Sequence, residues 1–224
     1  MDNLTTAYVM NLDSRPDRWR LMNEHWSDRL DLIRVSGIVL DRTNDSRPSC
    51  VIASDGLGQT HMILIREAVE RGDKTLLILE DDAVPEPNWF ERWTEIKTYL
   101  DDHLDDWEVF NGGAHQLKKC FGVVKLDRSA LLDSVNCCAS HFIYLNLKFA
   151  DRFLNWEKNK IDIDMYYCGS GLTMYASYPI LAKQADGHSD IMNEERDWEK
   201  TYVSNEIHFK RHLGDLYFEY NMKR

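Results

Sequence analysis

Residues 76–87 read Leu-Leu-Ile-Leu-Glu-Asp-Asp-Ala-Val-Pro-Glu-Pro, and the fold turns on them. Leu76 to Leu79 form an unbroken aliphatic run, the pattern of a parallel strand covered on both faces. The run ends in Glu80, Asp81 and Asp82, and Pro85 and Pro87 follow. In an open α/β sheet the carboxyl ends of the strands border the ligand crevice. Three adjacent carboxylates there repel one another and raise one another's pKa unless a cation or a donor-rich ligand sits among them. Oxygen ligands at such a place suit Mg²⁺ or Mn²⁺, which share their coordination with a substrate's phosphates. The competing reading is a solvated acidic loop, the commoner fate of an Asp-Asp pair. The strand before the triplet and the prolines after it favour the site.

A chain of 224 residues with 43% hydrophobic content buries a real core and argues against disorder. Its net charge of -11 repels nucleic acid and anionic membranes. An anionic small molecule is still admissible, because a bound divalent cation inverts the local field. The cysteines are Cys50, Cys120, Cys137, Cys138 and Cys168, odd in number, with one vicinal pair and no CxxC spacing. That pattern predicts neither a disulfide framework nor a zinc knuckle, and points to a reducing, cytoplasmic setting. Met1 to Asn11 has no basic and apolar leader pattern, and no apolar stretch reaches membrane-spanning length.

Along the chain, Ala7 to Leu12 predicts a first strand, followed by a turn with a helix cap at Asp13 or Ser14. A helix is expected from Pro16 to Leu30, with Trp19, Met22 and Trp26 at helical spacing. A second strand falls within 31–40, a polar loop at 41–50, and a helix over Leu57 to Arg71 closed by Gly72. Thr75 to Leu79 is the third strand and Asn88 to Leu100 a helix. Trp107 to Phe110 reads as a strand ending at Asn111-Gly112-Gly113. Antiparallel strands are expected within 120–146, including Phe142 to Leu145, and a helix over Phe149 to Lys158. The β-α-β-α-β start followed by a mixed section predicts an α/β domain with a central mixed, mostly parallel sheet flanked by helices.

Five segments, in order, resemble glycosyltransferase family 25, the lipopolysaccharide and collagen-type sugar transferases. Tyr-Val-Met-Asn-Leu-Asp-Ser-Arg-Pro-Asp-Arg at 8–18 is similar to the family's amino-terminal signature. Gly56-Leu57-Gly58-Gln59-Thr60-His61 resembles its glycine then Ser-His helix start, with Thr60 in place of Ser. Leu77 to Ala83 resembles its metal motif and Asn111-Gly112-Gly113 its Leu-Gly-Gly loop. Ile163-Asp164, Pro179, Gln184 and Ser189-Asp190-Ile191 resemble its carboxy-terminal block. The chain is shorter than many members and is also similar to the compact glycosyltransferase domains of large algal viruses. The resemblance implies a GT-A fold with a Rossmann-like nucleotide-binding half at about 1–113 and an acceptor-binding half at about 114–224. It implies a nucleotide diphosphate sugar donor, UDP-linked in the first instance, a glycan or glycoconjugate acceptor, and Mn²⁺ or Mg²⁺ on the diphosphate.

On that basis each residue has an expected role beside a plainer one. Asp82, last in the triplet, is the expected metal ligand; Asp81 would bind ribose hydroxyls or a metal-bound water, and Glu80 is as readily structural. Arg15 and Arg18 would clamp phosphates or stack on the base, against the alternative of solvated arginines at a helix start. Asn11 and Leu12 end the first strand, where backbone groups can read a base edge, and Asp55 and Gly56 would approach the nucleotide at a helix amino terminus. Asp164 matches the family's general-base position on an expected alternating strand, with Asp162 as the backup, and an attacking acceptor implies inversion. His188 is a candidate diphosphate or metal contact, whereas His61, His208 and His212 have structural or solvated readings. Trp19 and Trp26 read as core; Trp89, Tyr166 and Tyr167 read as core or as a sugar-stacking surface. Two other functions compete: a metal-dependent phosphohydrolase or nuclease, and a nucleotide-sugar binding module that has lost catalysis.

Overall fold

The computed structural model describes residues 4–41, 43, 45–115, 117, 119–135 and 138–222. Cys137, half of the vicinal pair, and residues 42 and 44 of the polar loop lie outside the described residues. The chain begins β1 (Thr5–Asn11), α1 (Pro16–Trp26), β2 (Leu30–Ser36), α2 (Ser49–Arg71), β3 (Thr75–Glu80), β4 (Ala83–Pro85) and α3 (Trp89–Asp102). It continues with β5 (Val109–Asn111), β6 (Lys119–Lys125), β7 (Ala130–Val135), β8 (Phe142–Asn146) and a 3-10 turn at Leu147–Phe149. Then come α4 (Ala150–Leu154), α5 (Trp156–Asn159), α6 (Ile163–Gly169), β9 (Met174–Tyr178), β10 (Ala182–Gln184), β11 (Gly187–Ser189), β12 (Glu194–Arg196), α7 (Glu199–Leu213) and α8 (Asp215–Met222).

Eight strands form one mixed sheet in the order β2-β1-β3-β8-β5-β9-β7-β6. The aliphatic run is buried from both sides, as its pattern predicts. Leu76 and Ile78 join the core beneath α2, α4, α6 and α7, while Leu77 and Leu79 join the core beneath α1 and α3. β1 pairs in parallel with both β2 and β3, whereas β8 enters antiparallel to β3 and β5. The chain therefore leaves β1 toward β2 and returns across it to β3. That reversal leaves a crevice at the carboxyl ends of β1 and β3, the switch point where open α/β sheets bind ligands.

Several expected elements move. The second helix begins at Ser49, two turns ahead of Leu57, and ends at Gly72 in the left-handed conformation, as expected. Gly56 argues against that extension by propensity, yet it and Gly58, within the expected helix, are packing glycines. A Cβ on Gly56 would meet the backbone carbonyl of Ile38, and one on Gly58 would run into the Trp156 indole. Asp164 lies on no strand. Ile163, Tyr166 and Tyr167 are buried at i, i+3 and i+4, the helical spacing, so the segment is α6 with Asp162 at its N-cap. Neither Asp13 nor Ser14 caps α1; Asp13 instead accepts hydrogen bonds from Arg34 and Ser36 across to β2. The expected helix at 149–158 is two short helices, and the strand expected at 107–110 is Val109–Asn111.

Trp156 is fully buried, and its indole N–H donates to Ile161 O at 2.6 Å, so it cannot yield to an added methyl group. Helix propensity alone favours Ala over Gly by roughly 0.5–1 kcal/mol. Gly58→Ala is nevertheless expected to destabilise the fold by about 1–3 kcal/mol through overpacking. Urea unfolding measures it, and a neutral or stabilising result would show that the indole can move.

Candidate functional site

The register Met10↔Glu80 sets Asn11 beside Asp81 at the two strand ends. Asn11 is buried, donates to Asp81 Oδ2 at 2.7 Å and accepts from Arg34 Nε at 2.7 Å. Arg18, projecting from the first turns of α1, donates to Asp81 Oδ1 at 2.9 Å and to the His188 carbonyl at 2.6 Å. Both oxygens of Asp81 are thus engaged by protein donors.

Asp82 differs. Its Oδ2 accepts from the Gln184 amide at 3.3 Å, while its Oδ1 is buried with no partner among the described residues. Glu80 accepts the Ser140 hydroxyl at 2.5 Å. Glu80 and Asp82 are both pushed above the ordinary carboxylate range. Removal from bulk water is the largest cause for each, and neighbouring carboxylates add to it: Asp82 for Glu80, Asp81 for Asp82.

These three acids form the polar end of a cavity of about 330 Å³. The other end is an apolar slot made by Ile38, Val39 and Leu40 against Leu57 of α2. The Ile38 N–H donates to Thr60 Oγ1 at 3.1 Å, and Gly56 lets the helix backbone close on the Ile38 carbonyl. Ser189, Asp190, Ile191 and Asn193, from the β11–β12 hairpin, complete the wall. Arg15 fastens this hairpin to α1 through Asp190 at 2.6 Å and also binds Asp17 at 3.0 Å.

Of the residues expected from sequence, Asn11, Leu12, Arg18, Glu80, Asp81 and Asp82 line one cavity. Arg15 is not a lining residue: its guanidinium reaches the wall at Asp190, and its backbone is hydrogen-bonded to Asn11 and Leu12. Asp55 and Gly56 stand mid-helix rather than at a helix amino terminus, because α2 starts earlier than expected. Asp55 is buried against Arg47 at 3.2 Å and Gln59 at 3.3 Å. His188 turns its ring toward Glu195 at 3.5 Å and contributes its carbonyl, not its imidazole, to Arg18. Asp162 accepts the Ser54 hydroxyl. Asp164, in the first turn of α6, accepts Met165 N–H at 2.6 Å and Ala139 N–H at 3.5 Å, and its charge disfavours that of Glu80. Its own pKa is raised, chiefly by burial. Trp89 packs edge-on against Trp26 at 4.4 Å, and the Tyr167 hydroxyl meets His61 Nδ1 at 3.2 Å, so both belong to the core. In the sequence Thr60 stands only as a motif position, with no role given to it, and Ser140 carries no signal; the fold sets Thr60 in the cavity wall and Ser140 on Glu80.

Among the described residues no three His, Cys, Asp or Glu side chains gather as a protein-only metal cage. A Mg²⁺ or Mn²⁺ ion bound through phosphates needs only one or two carboxylates. The bare Oδ1 of Asp82, beside two further acids, fits that lesser requirement.

No family model matches the chain, and no curated protein matches it. Solved structures similar to it include a glycosyltransferase involved in the glycosylation of the major capsid of PBCV-1. That one is 11% identical with a TM-score of 0.47, over 83% of this chain and 94% of that one. An apo UDP-glucose pyrophosphorylase is 8% identical with a TM-score of 0.42, over 94% and 82%. A mannose-1-phosphate geranyltransferase from Thermus thermophilus is 9% identical with a TM-score of 0.39, over 82% and 74%. At these identities the similarity is one of structure alone.

The raised carboxylates fix a sign. The folded protein holds the Glu80 proton more tightly than the unfolded chain does, so this stability is present at low pH and lost as pH rises through the folded pKa. Buried His61, His115 and His141, all pushed down by burial, give an opposite slope below about pH 6.5. The contribution is therefore read as a difference between proteins. Without metal, Glu80→Gln should match the native protein near pH 5 and exceed it increasingly toward pH 8, by at most about 1.4 kcal/mol per pH unit. Parallel stability curves for the two proteins would contradict the assignment.

Proposed function

We propose that this cavity binds a nucleotide diphosphate sugar, a UDP-sugar in the first instance, and that the chain transfers the sugar to a hydroxyl of a glycan or glycoconjugate. The observation that carries the reading is the cavity's polarity: an apolar slot at one end, and Arg18 with the Glu80-Asp81-Asp82 carboxylates at the other. A nucleoside matches the first end. A diphosphate with its cation matches the second. The resemblance to family 25 and its GT-A fold supports the same reading, with the strand-end cavity as the donor half and residues beyond about 114 contributing the acceptor side.

In this reading Asp82 is the residue that would hold Mn²⁺ or Mg²⁺, and Asp81, fixed by Asn11 and Arg18, supports it. The cation, when bound, neutralises the leaving diphosphate and orients it. Arg18 turns its guanidinium from Asp81 and the His188 carbonyl toward a phosphate. Asp164, whose carboxyl is raised by burial, takes the acceptor's proton, with Asp162 two residues before it as the alternative. Attack opposite the diphosphate inverts the anomeric carbon.

Asp82→Asn should abolish metal-dependent UDP binding while the urea midpoint stays near that of the native protein. Calorimetry in Mn²⁺ tests this, and undiminished binding would remove Asp82 from the metal site. Asp164→Asn should retain donor and metal affinity but lower turnover by about two to four orders of magnitude. Product NMR should report an inverted anomeric signal. Retention would exclude a single displacement, and an active variant would move the base elsewhere.

A further inference from the structure

Asp81 is held from β2 as well as from β1. The parallel register pairs Asn11 with Ser36, two residues beyond Arg34, so Asn11, Ser36 and Arg34 stand on one face of the sheet. Arg34 Nε donates to Asn11 Oδ1 at 2.7 Å, and its terminal nitrogen donates to Asp13 Oδ1 at 2.7 Å. The Ser36 hydroxyl donates to the same Asp13 oxygen at 2.8 Å. Arg34 does not line the cavity, and no local pattern in the sequence points to it.

These partners fix the direction of the Asn11 amide. A guanidinium only donates and an ionised carboxylate only accepts, so Oδ1 must face Arg34 and Nδ2 must face Asp81. Nδ2 donates to Asp81 Oδ2 at 2.7 Å and to the Arg15 carbonyl at 2.9 Å, so the buried amide is engaged at both ends. The two oxygens of Asp81 therefore have partners of different kinds. Oδ2 rests on an amide that Arg34 pins from the next strand. Oδ1 rests on Arg18, which also reaches the His188 carbonyl and, in the reading above, leaves for a phosphate.

Without Arg34 the amide would be free to turn, and its oxygen would then face the Asp81 carboxylate and repel it. We propose that Arg34 is a positioning residue for Asp81: it locks the Asn11 amide, so that Asp81 keeps Oδ2 on the protein and offers Oδ1 alone, to the cation or its water, when Arg18 moves to the diphosphate. The inference rests on the donor-site reading above and adds to it an arginine of β2 that acts through Asn11.

Two variants separate the hydrogen bond from the bulk and charge of the side chain. Arg34→Met puts a methyl group where Nε stands, and Arg34→Gln puts an uncharged N–H donor there. The first readout needs no ligand: by NMR, the Asn11 side-chain amide protons should exchange with solvent about tenfold faster in Arg34→Met, and near the native rate in Arg34→Gln. The second is Mn²⁺ binding in the presence of UDP, by electron paramagnetic resonance of the free ion, alongside metal-free UDP affinity by calorimetry. Arg34→Met should weaken Mn²⁺ binding about tenfold and leave metal-free UDP affinity within about twofold, and Arg34→Gln should recover most of the loss. Unchanged amide exchange in Arg34→Met would show that Arg34 does not hold Asn11; the positioning role is then wrong and the donor site stands. Faster exchange with native Mn²⁺ binding would make the contact one of packing and overturn the role. An equal loss of metal-free UDP affinity would place Arg34 on the nucleotide itself, and no recovery in Arg34→Gln would assign the effect to charge; either overturns it. If native protein takes up no Mn²⁺ with UDP, the donor-site reading falls and the positioning role with it.

Discussion

Three consecutive carboxylates stand where a fully buried strand runs out of sheet, and the surroundings are arranged around that electrostatic problem. Each acid has a different answer. Asp81 is neutralised by Arg18 and bound by Asn11. Glu80 is held by Ser140 and favours its protonated form. Asp82 keeps Oδ2 on Gln184, and its Oδ1 has no partner among the described residues. The oxygen of a half-buried carboxylate on a cavity wall, with no protein partner among the described residues, is open to a cation or to water. That opening, beside two further acids, is the physical reason to propose the cavity as a binding site.

The sheet explains how the donors reach the acids. Parallel pairing of β1 with β3 delivers Asn11, antiparallel pairing of β3 with β8 brings Ser140 and His141 to the strand end, and the β4–β10 pair delivers Gln184. The Glu80 N–H donates to the His141 carbonyl at 3.2 Å, which closes the sheet behind the triplet. The β11–β12 hairpin shuts the open side through the pair Arg15–Asp190. Both arginines near the polar end are matched by acids of this chain, so an incoming diphosphate competes with Asp81 and Asp190 for them.

The central strand and its acids were legible in the sequence because four aliphatics in a row satisfy two cores at once. The parallel start of the sheet was legible for the same reason of pattern. Asp164 was misplaced because Ile161-Asp162-Ile163-Asp164 alternates like a strand over four residues, whereas the deciding pair, Tyr166 and Tyr167, lies just beyond. The early start of α2 was hidden by Gly56, a poor helix former that is required there by the close approach of Ile38. Gln184 reaches Asp82 from 102 positions away, a partnership set by strand pairing that no local spacing encodes.

In the reading proposed here, the strand-end cavity takes a nucleoside diphosphate with its cation on Asp82. Crystals grown with Mn²⁺ and UDP test it most directly through the anomalous signal of manganese. A manganese peak is expected beside Asp82, with the base in the slot between Ile38 and Leu57. Manganese bound away from Asp82, or a nucleotide seated outside this cavity, would contradict it.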